Sequence, residues 1–262
     1  MYSKEHIIFL KKEKKKKFFI KFFQIIILLF FLIVWQSLAN YKIINTFLFS
    51  SPHNIIKTIV KLSKNNLFNH MWITFYETLI SFMIASFIGL LIATILWFNK
   101  TIAEIIDPYL TILNSLPKVA LGPLIIIWFG ADIKSIIVMS LMISLITSII
   151  NIYNSFLLTD ESYITLMKSL KSSKYQIYYK LILPANKKNI FNTFKLNISM
   201  SLIGVIMGEL LVSKEGLGYL IMYGSQVFNI DLVITSVFIL GIFSYIIYLS
   251  ILKIEKKMSK KK

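Results

Sequence analysis

Ionisable residues lie inside apolar stretches of this chain, and a charge in such a place needs a chemical reason. Lys118 follows Pro117 in the middle of one stretch, and Glu209 sits near the end of another. An ionised group at the depth of a bilayer costs roughly 3 kcal/mol or more unless it is solvated or paired, so both are candidates for lining or gating a pathway. Pairing with a polar neighbour is the role expected of Lys118, ahead of attraction of an anionic solute. Glu209 is soon followed by Gly216-Leu-Gly218, a third candidate for the pathway or its gate. These glycines invite a nucleotide-loop reading, but no strand precedes them and no Gly-Lys-Ser/Thr follows. No Walker loop occurs anywhere, so the chain cannot hydrolyse ATP alone. Nor is there a Gly-x-Ser-x-Gly, a His-Glu-x-x-His or a cluster of carboxylates within the apolar spans. Cysteine is absent, and His6, His53 and His70 are scattered. Neither a thiolate site nor a histidine-clustered metal site is expected, and the chain reads as no enzyme and as a holder of no cofactor.

Those residues must be positioned by membrane helices. Of the 262 residues 56% are hydrophobic, and the mean hydropathy is +0.73. A hydrocarbon core about 30 Å thick needs roughly 20 apolar residues per helix. Charge-free runs meet this at Phe22–Tyr41, Thr78–Asn99, Ser135–Thr159 and Leu232–Leu252. Two more segments are interrupted. Pro108–Ala131 carries Pro117, Lys118 and Pro123, and Phe191–Ser213 carries Lys195 and Glu209. The prediction is an all-α polytopic membrane protein of about six spans. The interrupted third and fifth would line a pathway, because broken or charged helices survive in lipid only against protein or a wet cavity. The other four would face lipid or pack structurally.

The net charge of +17 comes from 29 basic residues, all lysine. Most flank apolar spans, which fits membrane orientation rather than nucleic-acid reading, where arginine is favoured. With six spans, the stretch KKEKKKK, the lysines from Lys168 to Lys188 and the tail KIEKKMSKKK share one side, which the positive-inside rule makes cytoplasmic. Both termini are then cytoplasmic, in a multi-pass protein of a bacterial plasma membrane. The amino-terminal apolar run is too long for a cleaved signal peptide and is read as an uncleaved first helix. The organisation expected is a basic tail at 1–17, a first transmembrane helix at 18–41 and an outer amphipathic segment at 42–71. A core of spans two to six follows at 72–252, then a second basic tail at 253–262. In the outer segment, Ser51 and Pro52 start a helix on which Ile55, Ile56, Ile59 and Val60 share a face.

The polar excursion at 159–190 stands out within that core. Thr159 or Asp160 can cap a helix with Tyr163, Leu166, Met167 and Leu170 at i, i+3, i+4 and i+7. Ser173 with Gln176 makes a capping box for a second helix, which runs through Ile177, Tyr178 and Leu181 and ends or kinks near Pro184. Periodicity alone leaves open whether this pair rests on the bilayer or docks a soluble partner.

The loop resembles the "EAA" loop of importer-type ABC transporter permeases: Glu-Ala-Ala, three residues, Gly, nine residues, Ile, any residue, Leu-Pro. Anchored on Leu183-Pro184, the pattern puts Leu181 at the Ile, Lys171 at the Gly, and Thr165, Leu166 and Met167 at Glu-Ala-Ala. NSLPKVALGPLIIIWFGADIKSI (Asn114–Ile136) and GELLVSKEGLGYLIMYG (Gly208–Gly224) are similar to segments of the nitrate, sulfonate and taurine permease branch. The resemblance implies a permease subunit forming the solute pathway and coupled to two ABC ATPase subunits that bind the ATP. An extracytoplasmic binding protein would deliver solute, and a second copy of the chain would complete the pathway. The docking loop would comprise Tyr163, Thr165, Leu166, Met167, Leu170, Lys171, Ser172, Ser173, Leu181, Leu183 and Pro184, with Leu166, Met167 and Leu170 as its apolar ridge. The solute implied is a small organic or inorganic anion, such as a sulfonate, nitrate or taurine, or a thiamine-precursor-like compound. Two departures stand out. Lys171 replaces a glycine suited to a left-handed turn, and Thr165 replaces the Glu, whose contact Asp160 or Glu161 would have to supply. The reading from another class is a secondary carrier or channel uncoupled from ATP, which needs ion-coupling carboxylates within its spans.

Overall fold

Backbone polar groups inside a bilayer must be satisfied within their own segment, and the apolar runs of this chain accordingly fold as helices. The computed structural model describes residues 4–259, and no strand occurs among them. The helices in chain order are α1 (Lys4–Asn40), α2 (Thr46–Phe49), α3 (Pro52–Ser63), α4 (Leu67–Phe98), α5 (Lys100–Ser115), α6 (Gly122–Phe129) and α7 (Ile133–Leu157). They continue with α8 (Glu161–Ser169), α9 (Lys174–Ile177), α10 (Leu183–Ala185), α11 (Lys187–Val212), α12 (Leu217–Gln226) and α13 (Ile230–Ser259). Five segments are long and apolar enough to cross a membrane: Phe18–Asn40, α4, α7, α11 and Ile230–Lys253.

The third expected span is not one helix. Lys100–Ser115 and Lys118–Phe129 form a pair bent by 87°. Pro117 disfavours helical backbone at Leu116, which is extended, and a single 3₁₀ turn at Lys118–Leu121 follows before α6. Even so, the pair crosses. The carboxyl ends of α4 and α7 meet, since Phe98 and Phe156 both pack on the Tyr178 ring. Their opposite ends also meet, where Glu77 shares a cavity wall with Asp132 and Ile133. Two parallel helices joined in sequence require a connection that traverses their length, so α5–α6 is a broken span and the crossings number six among the described residues. The amino end of α13 and the carboxyl end of α1 both meet α3 and its lead-in, through Asp231 to Ser50 and Asn54 and through Gln36 to His53. The amino end of α1 and the carboxyl end of α13 therefore run toward the side that carries the 159–190 loop.

Helices α4, α7 and α11 pack together as the inner core. Small residues allow this: a side chain at Gly89 would strike Ser148, one at Gly204 would strike the Ser140 backbone, and one at Gly208 would lie 2.8 Å from the Ile136 Cα. The Ser140 hydroxyl donates to the Ser201 carbonyl at 2.9 Å, and Asn197 Nδ2 to Ser86 Oγ at 3.2 Å. Of the two roles expected for spans two and four, facing lipid or packing structurally, they take the second; their runs carry no charge, and their serines with Gly89 are what lets them pack inside. The apolar band of α1 is largely exposed on the protein's own surface.

The basic segment ahead of the first span is helical from Lys4 and continuous with the apolar span at Phe18–Asn40; positions 1–3 and 260–262 lie outside the described residues. Span two starts at Leu67, so 67–71 belongs to it rather than to the amphipathic segment. Helix α3 forms with Ser51 accepting from the Asn54 N–H and Pro52 in its first turn, but Ile55 is buried while Ile56 and Val60 are exposed. The apolar face seen in the periodicity is divided: Ile59 and Leu62 pack toward the core, and the rest is left to the surroundings.

Candidate functional site

The loop between α7 and α11 is built as two capped turns. Asp160 accepts the Ser162 N–H at 2.9 Å and starts α8; bonds from the Ser162 hydroxyl and amide hold its carboxyl below the usual range. At the other end, the Lys171 N–H donates to the Lys168 carbonyl at 2.8 Å and the Ser172 N–H to the Met167 carbonyl at 3.0 Å. That is the Schellman pattern, and it places Lys171 at φ 57°, in the left-handed region. The turn is thus built as a glycine would build it, at a cost of about 1–2 kcal/mol for a residue with a Cβ. The Ser173–Gln176 capping box then forms, with the Ser173 N–H donating to Gln176 Oε1 at 2.8 Å. The second helix changes to a π-helical turn at Tyr178–Ile182 just before Pro184, which lacks an N–H and crowds the carbonyl four residues back.

The same loop has an anchored side and an exposed side. Ile177, Tyr178 and Ile182 are buried against Ala93, Ile152, Phe156 and Ile190 of the inner helices. Tyr178 is 2% exposed, its hydroxyl lies 2.6 Å from Thr94 Oγ1, and burial pushes its pKa up. Lys174 Nζ donates to the Phe98 carbonyl, closing the loop onto the end of α4. Leu181 and Leu183 are half-buried against this cluster, Ser172 is half-buried, and Ser173 and Pro184 are exposed. On α8, Tyr163, Leu166 and Leu170 are exposed, with Leu166 at 57%, and Thr165 is exposed beside them. Met167 instead turns inward with Ile164. The ridge is therefore Tyr163, Leu166 and Leu170, spaced i, i+3, i+7; Met167 belongs to the anchor. Tyr178 and its partner Thr94 carried no signal in the sequence beyond an apolar position in a helix.

At the opposite end, α12 starts on a set of acceptors supplied by other helices. Three successive amides there have side-chain partners: Gly216 N–H donates to His70 Nδ1 at 3.0 Å, Leu217 N–H to Thr74 Oγ1 at 2.9 Å, and Gly218 N–H to Glu209 Oε2 at 2.6 Å. The Thr74 hydroxyl in turn donates to Glu209 Oε1 at 2.6 Å. A carboxyl group at a helix amino terminus satisfies orphan N–H groups and complements the helix dipole. Glycine is required at 216 for two reasons: φ is +105°, and a Cβ would fall on the Glu209 carboxyl group. At Gly218 a Cβ would lie 2.7 Å from the Glu209 Cβ. Glu209, Gly216 and Gly218 are thus brought together as one unit, with Glu209 only 1% exposed.

A second carboxyl group joins them. Glu77 of α4 is 2% exposed and in hydrogen-bonding contact with Glu209. The expectation of no clustered carboxylates within the spans is overturned here. It failed because α4 begins eleven residues before the charge-free run does, which takes Glu77 inside the helix. Lys118 and Pro117 do not join this group. Pro117 lies at the break between α5 and α6, and Lys118 Nζ donates to the Asn114 carbonyl and to Asn114 Oδ1, both at 3.1 Å. Among the described residues no three or more His, Cys, Asp or Glu are placed to hold a metal ion.

Comparison with known proteins agrees with this architecture. The chain is 28% identical over 220 residues to an ABC transporter permease protein of Haemophilus influenzae, covering 84% of this chain and 89% of the relative. It is 26% identical over 230 residues to a Bacillus subtilis protein named for aliphatic sulfonates transport, covering 87% and 83%. To the formylaminopyrimidine transport permease of Halalkalibacterium halodurans it is 25% identical over 224 residues, covering 86% and 89%. Its fold matches a chain of the MetNI methionine ABC transporter in an inward-facing conformation, with a TM-score of 0.64, 20% identity, and coverage of 73% of this chain and 95% of that one. Residues 85–260 match the family described as the binding-protein-dependent transport system inner membrane component. With two thirds of its length matched and the six crossings and inner helices described above, the chain belongs to that family, as a permease subunit of an ABC importer.

Proposed function

We propose that two copies of this chain enclose one solute pathway, with the loop at 159–190 facing the cytoplasm and each loop seating one ATPase subunit. The observation that carries this reading is the two-sided loop. Tyr163, Leu166 and Leu170 stand exposed on α8, while Ile177, Tyr178 and Ile182 fix the loop to the inner helices. An apolar ridge on a fixed support fits a cleft in a soluble partner, and one chain offers one such ridge where a pair of ATP-binding subunits has two clefts. The lysines from Lys168 to Lys188 support the cytoplasmic assignment, and both termini then lie on that side. The binding protein would dock at the opposite end, where α3 and α12 lie, and the ATP would be bound by the partner subunits.

Glu77 and Glu209 are the kind of pair that an ion-coupled carrier needs. However, Glu209 is committed to capping α12, and the docking loop would have no task in a carrier. The relatives are named for solutes of different chemistry, sulfonates and an aminopyrimidine, and we place this chain's solute within that range of small organic molecules.

The test is ATPase capture by the detergent-solubilised chain. Burying one leucine contributes about 1.5–3 kcal/mol, so Leu166→Asp is expected to weaken capture by tenfold or more while insertion is unchanged. Lys188→Asp, exposed at the start of α11, serves as control. Full capture by Leu166→Asp would remove the ridge from the interface.

A further inference from the structure

The carboxyl ends of α4 and α7, the start of α5 and the inner side of α8 enclose a cavity of about 630 Å³. Leu96, Trp97, Leu157, Ile164 and Ile177 give it apolar walls, and Lys100, Lys168 and Lys174 line it against one carboxylate, Glu104. The two kinds of lining meet at a definite depth. The charge-free run of α4 ends at Trp97-Phe98-Asn99 and Lys100 follows at once, while Leu157 is the last residue of α7. The walls are thus the final apolar turns of two spans and the rim is the first charge beyond them. That is the level at which acyl chains give way to headgroups, and Trp97 stands where interfacial tryptophans do.

The ammonium groups are available to a ligand. Among the described residues the Lys168 ammonium has no hydrogen-bond or ion-pair partner. Lys100 meets Glu104 at 3.7 Å with both side chains exposed, a pairing that water screens. Lys174 is held in place, donating to the Phe98 carbonyl with its Nζ 5.9 Å from the Trp97 ring centroid, and it keeps N–H donors to spare. Ile164 and Lys168 lie one turn apart on α8, on the side away from the exposed ridge of Tyr163, Leu166 and Leu170, so an occupant of the cavity leaves that ridge free. A small inorganic anion would use the lysines and leave the walls without a partner. A plain hydrocarbon would do the reverse. An anionic amphiphile matches both, as basic pockets between membrane helices match phospholipid headgroups.

We infer that this cavity seats an anionic phospholipid of the leaflet on the docking-loop side. Its phosphate is held by Lys100, Lys168 and Lys174, and an acyl chain runs along Leu96, Leu157 and Ile164. Lying beneath α8, the lipid braces the docking helix against α4 and α7. The inference goes beyond the permease reading, since it needs a membrane but no ATPase.

With Trp35, Trp72 and Trp128 replaced by phenylalanine, the full chain keeps Trp97 as its one indole. It is placed without ATPase in phosphatidylcholine nanodiscs that carry a rising fraction of lipid brominated on its acyl chains, which quenches an indole in contact with the chain. Each lysine near the headgroups contributes about a fivefold preference for an anionic lipid. Brominated phosphatidylglycerol should therefore quench Trp97 saturably, at a fraction at least about tenfold below that needed with brominated phosphatidylcholine. Lys168→Gln should cut this preference about fivefold, whereas Lys188→Gln, exposed at the start of α11, should leave it within about twofold. Should the triple-phenylalanine chain not fold, native mass spectrometry of lipid retained by the unsubstituted chain and by Lys168→Gln reads the same preference. Equal quenching by the two lipids overturns the inference, as does a preference that Lys168→Gln leaves intact or that Lys188→Gln lowers as far. Inorganic phosphate added at constant ionic strength should not displace the lipid; if it abolishes the preference, the lysines serve a free anion and the inference fails. ATPase capture is scored on separate samples, so loss of the permease reading and loss of lipid preference are distinct results.

Discussion

Replacing Glu209 by alanine should release the start of α12 while the inner helices stay packed. The Gly218 N–H loses its acceptor in a buried position, and an unsatisfied buried donor costs about 1–3 kcal/mol. Thr74 loses less, because its hydroxyl can turn to the His70 carbonyl, already 3.2 Å away, and still accept from the Leu217 N–H. The one lost methylene, Cγ, adds about 0.8 kcal/mol where it was packed. The sum is a local destabilisation of about 2–4 kcal/mol, which is about 30- to 1000-fold in the exchange rate of amides that open with the helix start. Glu209→Gln keeps one carbonyl acceptor for the Gly218 N–H and should cost about 1 kcal/mol. The assay is amide hydrogen exchange over Gly216–Leu220 in nanodiscs, with α7 peptides as an internal reference. Protection of Gly218 unchanged within about threefold in a folded Glu209→Ala protein would show that the carboxyl group is not what holds this helix.

Gly216→Ala should act on the same unit from the other side, since its Cβ would fall on the Glu209 carboxyl group at a backbone φ of +105°; the yield of folded protein after detergent extraction should drop sharply, and a normal yield would refute the contact. Lys171→Gly removes the Cβ from a left-handed position and should raise the midpoint of loop unfolding by about 1 kcal/mol without loss of ATPase capture, as read by exchange at Ser172 and by pull-down. Met167→Asp, unlike Leu166→Asp, should damage the permease itself, because Met167 packs on the cluster around Tyr178; a lowered melting temperature before any ATPase is added distinguishes the two. Reporter fusions after Lys262 and within 171–188 should give the same side, and opposite sides would contradict the six-crossing count.

The long helices and the capped turns of the 159–190 loop were legible because their signals are local. Apolar run length, a capping box and the pattern around Leu183-Pro184 each lie within a few turns of chain. The capping box even predicts the bond that forms between Ser173 and Gln176. What was not legible depends on distant partners. Thr74 meets Glu209 across 135 residues and Thr94 meets Tyr178 across 84, and no periodicity reports such pairs. Glu77 was missed because a charge-free window ends at the first charge, whereas the helix continues through it. Met167 was placed on the wrong face because α8 is apolar on two sides, one for the anchor and one for the exterior. For spans two and four the sequence left lipid-facing and structural packing open, because serine and glycine count as neither charged nor strongly polar in a hydropathy window, yet they are what lets helices approach closely.

The placement of these contacts says how the two ends of the molecule are connected. Helix α4 carries Thr74 at the α12 end and Thr94 at the docking-loop end. Helix α11 carries Glu209 at the first end and Ile190, packed against the docking-loop cluster, at the second. Helix α7 lies between them, held to α4 and α11 by contacts at Gly89, Gly204 and Gly208 that leave no room even for a methyl group. Close-packed interiors transmit displacement rather than absorb it. A partner seated on Leu166 and Leu170 would act on a three-helix unit that already includes the α12 cap. The helical hydrogen bonding is interrupted elsewhere, at the 87° break between α5 and α6, where Leu116 and Pro117 break it and Lys118 bonds back to Asn114 across the joint. Stiffness in the core and a hinge at its side are what a pathway needs if it is to open first to one face and then to the other.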